Sequence, residues 1–108
     1  MIAPKFFIEE TPMAGYWIVR ASASTDAESA ATYAKLWKPI AEKYEAKVLA
    51  SQGAHETVEG EDRPRNLIIE FPSYQMALDC YNDPEYTDAA YHALKAYDRE
   101  LVIIEGNS

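Results

Sequence analysis

Apolar residues in this chain follow two spacings that take turns along it. Tyr16–Ala23 (YWIVRASA) is dense in aromatic and β-branched residues behind Gly15 and predicts a first strand. Thr25 or Asp26 can cap a helix, with Glu28 placed to favour its N-terminal dipole. Ala30, Tyr33, Ala34, Trp37, Ile40, Ala41 and Tyr44 then recur at three and four, the apolar stripe of an α-helix. Pro39 lies inside that stripe, lacks a backbone donor, and predicts a kink or restart near Leu36–Lys38.

Lys47–Ser51 (KVLAS) predicts a short second strand. Gly53 marks a turn or bulge, and the alternation of His55–Glu59 (HETVE) predicts a hairpin extension before the polar loop Gly60–Pro64. Asn66–Phe71 (NLIIEF) is the clearest strand. Pro72 ends it, and Ser73 can cap a helix bearing Met76, Ala77, Leu78, Cys80 and Tyr81. Asn82-Asp83-Pro84 breaks that helix and starts another, with Ala89, Ala90, Ala93, Leu94 and Tyr97 expected inward. Leu101–Glu105 predicts the last strand. The order strand, helix, strand, strand, helix, strand implies an α+β, ferredoxin-like βαββαβ sandwich: one four-stranded antiparallel sheet with helices on one face. Residues 15–108 form the expected single domain, and 1–14, with Phe6, Phe7 and Ile8, an N-terminal arm.

The strands are apolar on both sides. Leu67, Ile69 and Phe71 share one face of the third strand, and Ile68 lies on the other beside Glu70. The first strand sets Tyr16 and Ile18 against Trp17 and Val19, and the last is apolar from Leu101 to Ile104. Helices cover one face, so the other predicts a cover, either a homodimer through the open sheet face or the arm folded over it.

Charge narrows the partners. Ten basic residues against 18 acidic ones give a net charge of −8, which opposes nucleic acid and anionic membrane surfaces. No stretch approaches the roughly twenty apolar residues of a membrane span. A single cysteine, Cys80, allows no internal disulfide, and a cytoplasmic location is the expectation.

Glu70 stands out as a carboxylate in an otherwise apolar strand, a candidate catalytic acid/base or half of a cross-strand ion pair with Arg20, which has the same parity on the first strand. Arg63 and Arg65 flank Pro64; either can clamp a substrate carboxylate or pair with Glu59, Glu61 or Asp62. Tyr81 and Tyr86 bracket the helix break, and with Tyr16 and Trp17 they can line an aromatic pocket or simply fill the core. His55, His92 and Cys80 share no metal spacing, so no metal and no cofactor is expected; a heme pocket would need one axial histidine, which His55 or His92 could supply.

Taken together, GYWIVR (Gly15–Arg20), VEGEDRPRNLIIEFPSY (Val58–Tyr74), YNDPEY (Tyr81–Tyr86) and LVIIEG (Leu101–Gly106) resemble the family catalogued as domain of unknown function 1330, of the dimeric α/β-barrel superfamily. Arg63–Tyr86 is the most specific stretch. The chain departs from the pattern in its longer arm and in Gln52-Gly53, where a glycine pair is usual. The resemblance implies two sheets packed back to back as a dimer. It implies no single activity, since superfamily relatives include cofactor-independent monooxygenases, isomerases and heme-handling enzymes. The expectation is a small-molecule site in each subunit, with Glu70 as catalytic candidate and Tyr16, Arg20, Arg65 and Tyr81 binding a small carboxylate or carbonyl compound. The alternative is a non-catalytic ligand-binding or purely structural homodimer.

Overall fold

A computed structural model describes residues 13–107. The expected arm therefore lies outside the described residues, apart from Met13 and Ala14. The elements are β1 (Gly15–Ala21), α1 (Ala27–Lys43), β2 (Lys47–Ala50), β3 (Arg65–Phe71), α2 (Tyr74–Asn82), α3 (Pro84–Ala96) and β4 (Arg99–Glu105). The strands form one sheet in the order β2-β3-β1-β4, every neighbour antiparallel. This is the ferredoxin-like α+β arrangement.

Local chemistry sets the helix ends. Asp26 caps α1 by accepting from the Ser29 N–H, and Ser73 caps α2 by accepting from the Met76 N–H. Asp83 closes α2 and opens α3, where Pro84 occupies the first turn and the Asp83 carboxylate accepts from the Glu85 N–H. α1 ends in a Schellman turn: the Ala46 N–H reaches the Ala41 carbonyl and the Glu45 N–H reaches that of Glu42. Glu45 pays for that turn with a φ of 55°, a region that glycine enters more easily.

Three expectations change. α1 runs through Pro39 as one helix without a restart, because Pro39 lies on the exposed side, where water can take the carbonyl left unpaired. His55–Glu59 forms no strand, since its alternation meets no partner edge. Leu94 is 60% exposed; the inner stripe of α3 is Tyr86, Ala89, Ala93 and Ala96.

Alternation decides the rest. Trp17 and Val19 of β1 and Ile69 and Phe71 of β3 point beneath the helices and are buried. Ile68, Val102 and Ile104 point to the other face and are exposed. Trp17 is the hub, in ring contact with Trp37, Phe71, Tyr81 and Tyr86, and its indole N–H donates to the Ala77 carbonyl at 3.0 Å. α2 lies close on the sheet, and Cys80 is sealed beneath it. α1 instead packs backbone to backbone against α3, and aromatic side chains bridge its distance from the strands. Asp83 pins this helix layer, accepting from Lys43 Nζ at 2.7 Å and from the Tyr44 hydroxyl at 2.6 Å. Those two bonds, with the Glu85 N–H, hold its carboxyl down at about 2.

Candidate functional site

The space between α1 and the sheet exists because α1 presents Ala30 and Ala34 there, small residues opposite Val19 and Leu67. The result is a cavity of about 180 Å³, walled by Trp17, Tyr33 and Trp37 and completed by Arg65, Tyr97 and Arg99. A cavity of about 150 Å³ holds a benzene ring, so this one suits a single ring or a short branched chain with a polar group.

β3 and β4 aim the two arginines. Arg65 shares parity with Leu67 and Ile69, and Arg99 with Leu101 and Ile103, so both guanidinium groups turn to the helix face. Arg65 lies over the Tyr97 ring, its Cζ 4.7 Å from the centroid. Arg99 lies over the Tyr33 ring at 5.6 Å and donates from Nη2 to the Tyr86 hydroxyl at 3.0 Å. Tyr86, itself wholly buried, stands 2.9 Å from the Tyr33 hydroxyl. Burial first, and then the neighbouring Tyr33 oxygen, raises the Tyr86 pKa far above the ordinary phenol value and keeps it neutral. Neither Arg65 nor Arg99 has a carboxylate partner among the described residues.

Arg63 serves differently. Its Nη1 donates to the Asp98 carbonyl at 2.6 Å, the same oxygen that accepts from the Ser22 N–H, and its Nη2 lies 3.6 Å from Glu61 and 3.7 Å from Asp98. Asp98 stands between Tyr97 and Arg99, so Arg63 fixes the turn that presents both to the cavity.

The five residues singled out from sequence divide between the two faces. Arg65 is at the cavity. Tyr81 is on the same face, 5.8 Å from the Trp17 ring and 5.4 Å from that of Tyr86, and is 38% exposed. Tyr16, Arg20 and Glu70 are on the open face. Tyr16 sits opposite Glu70 and donates to it at 3.1 Å, which raises the Tyr16 pKa. The expected Arg20–Glu70 ion pair is not formed. Glu70 lies four positions along β3 from Asn66, the residue opposite Arg20, roughly 13 Å at about 3.3 Å per residue. Arg20 instead donates to Asn66 Oδ1 at 3.1 Å and to the Glu61 carbonyl at 2.6 Å. Sequence reading missed Arg99, and it took Tyr33 and Trp37 only as core. The signal for Arg99 was its parity with Leu101 and Ile103.

The family sequence model described as "Domain of unknown function (DUF1330)" matches residues 14–107. The chain belongs to that family. None of the curated proteins matches this DUF1330 chain. Among solved structures it is similar to the RPA0582 protein of unknown function from Rhodopseudomonas palustris, with a TM-score of 0.70 at 20% identity over 89% of this chain and 84% of that one. It is also similar to SnoaB, a cofactor-independent oxygenase from Streptomyces nogalater, with a TM-score of 0.55 at 11% identity over 89% of this chain and 95% of that one. A conserved protein of unknown function from Bacteroides thetaiotaomicron, described as a possible oxidoreductase, gives 0.54 at 11% identity over 87% and 98%. At these identities the likeness is one of fold. Among the described residues of this DUF1330 domain, no helix is long and apolar enough to cross a membrane.

Proposed function

We propose that this domain binds a small, flat organic anion between α1 and the sheet, with Arg65 and Arg99 as the anion clamp and the Trp17, Tyr33 and Trp37 rings as the apolar wall. One observation carries the reading. In a chain of 18 acidic and 10 basic residues, two guanidinium groups meet at one aromatic cavity without a carboxylate beside them. A guanidinium presents five donors in a rigid fork that matches a carboxylate, and Arg99 uses one bond on Tyr86. Among the described lining residues none bears a carboxylate, imidazole or thiol, which favours binding over proton chemistry by a lining base. Turnover without a cofactor would depend on a ligand that reacts readily once its charge is held. Glu70 would serve such a reaction only from the opposite face.

The test is calorimetric titration with benzoate and its neutral amide. Benzoate is expected to bind, the amide to bind at least tenfold more weakly, and Arg99→Gln and Arg65→Gln each to weaken benzoate. Equal affinity for acid and amide would remove the reading.

A homodimer through the open sheet face fits the same domain, because Ile68, Val102 and Ile104 are exposed there beside the half-buried Ile18. Sedimentation velocity is expected to give a dimer, and Ile68→Asp a folded monomer. A wild-type monomer at high concentration would refute it.

A further inference from the structure

We infer that Tyr33 is the hydrogen-bond donor that sets the cavity's ligand preference, selecting anions that carry a second oxygen acceptor beside the carboxylate, as 2-oxo acids do. This rests on the anion-site reading and adds a direction to its hydrogen bonds.

A guanidinium only donates, so the 3.0 Å contact makes the Tyr86 oxygen an acceptor from Arg99. The Tyr86 side chain is wholly buried, and its own proton needs an acceptor, since an unpaired buried hydroxyl is costly. Among the described residues that acceptor is the Tyr33 oxygen at 2.9 Å. Tyr86 therefore donates to Tyr33. The Tyr33 proton cannot return along the same line, and Tyr33 lines the cavity. The chain of bonds runs Arg99 to Tyr86 to Tyr33 to ligand, each donor polarised by the cation at its start. Tyr33 thus offers the cavity a donor whose sense is fixed by two residues behind it. A carbonyl oxygen answers that donor; a methylene leaves it unmet, and an ammonium group opposes it.

Phenylglyoxylate and phenylacetate differ in that one position, a carbonyl against a methylene. Titration calorimetry on the wild type is expected to show phenylglyoxylate binding about tenfold more tightly, the scale of one such hydrogen bond. Tyr33→Phe is expected to bring the two acids to about equal affinity, and binding of both acids to the variant shows that the cavity is intact. Tyr86→Phe is expected to shrink the preference, because Tyr33 loses its fixed sense. Phenylglycine, with an ammonium group in place of the carbonyl, tests the wild type alone and should bind at least tenfold more weakly than phenylglyoxylate. If both acids bind and Tyr33→Phe keeps the preference, or if phenylglycine binds as well as phenylglyoxylate, Tyr33 is not the selecting donor and the anion site survives without it. If neither acid binds the wild type, the anion-site reading itself falls and takes this inference with it.

Discussion

Each face of the sheet carries a tyrosine bonded to a charged residue, and the two faces use the pairing differently. On the open face Tyr16 donates to Glu70 straight across from β1 to β3, and the bond is complete within the sheet. On the helix face Arg99 of β4 donates to Tyr86 of α3, which stands against Tyr33 of α1, so the bonds climb from strand to helix layer. Alanines in α1 leave room beside them. A carboxylate that accepts from a neighbouring strand does so without any cavity. Arg65 and Arg99 line that room, and neither has a carboxylate partner among the described residues. These two arginines thus lie beneath the helices, whereas the open face sets Ile18, Ile68, Val102 and Ile104 among Tyr16, Arg20, Asn66 and Glu70.

Substitutions can break or sharpen this contrast. The largest loss is expected for Trp17→Ala, which empties the hub of the helix face: about 3–5 kcal/mol, read by urea unfolding. Gly15→Ala comes next. Its new methyl would stand 2.6 Å from Tyr74 Cα and 2.7 Å from the Ser73 carbonyl oxygen, both backbone, and overpacking of this kind costs about 1–3 kcal/mol. Gly106→Ala is the matched control, because its nearest neighbour is the movable edge of the Tyr16 ring, and its Tm should fall less.

Asp83→Asn should act through pH. The folded carboxyl is held at about 2, while an unfolded aspartate titrates near about 3.9. Within that window the unfolded chain binds more protons, so stability rises with pH and is lost as the solution is acidified through it. The variant should flatten this acid limb of Tm against pH, and an unchanged limb would mean that Asp83 does not anchor the helix layer. The smallest effect is expected for Tyr16→Phe. Its Tm should stay close to that of the wild type, and its anion binding should match the wild type because the cavity lies on the other face.

Local chemistry made much of the fold readable. Ser73, Asp83 and Pro84 announce helix ends through bonds that span two or three residues, and parity along Leu67, Ile69 and Phe71 names the buried face without reference to anything distant. His55–Glu59 misled because alternation signals a strand only where an edge is present to pair with it. Leu94 misled because helical spacing defines a stripe but not its centre, which Tyr86 sets by packing on Trp17. The cavity was half legible. Arg65 falls on the buried parity of β3, whereas Arg99 required knowing that β4 begins two residues before its apolar run. Arg63 and Arg65 are two residues apart and look alike in sequence. They part only because Asp98, distant in the chain, comes within reach of one of them. The Tyr33–Tyr86 contact joins residues of α1 and α3 and has no trace in local pattern.

Cys80, sealed under α2, is the chain's one thiol. Burial first, and then the Asp83 charge, pushes its pKa up to about 12, so the folded protein withholds the reactive thiolate. A thiol reagent can therefore modify this domain only when α2 lifts from the sheet, and the rate of modification becomes a clock for that opening. The wild-type sequence carries its own stopwatch, with no probe to be engineered and no second cysteine to confuse the count. A ligand that braces the helix layer would make it run slow.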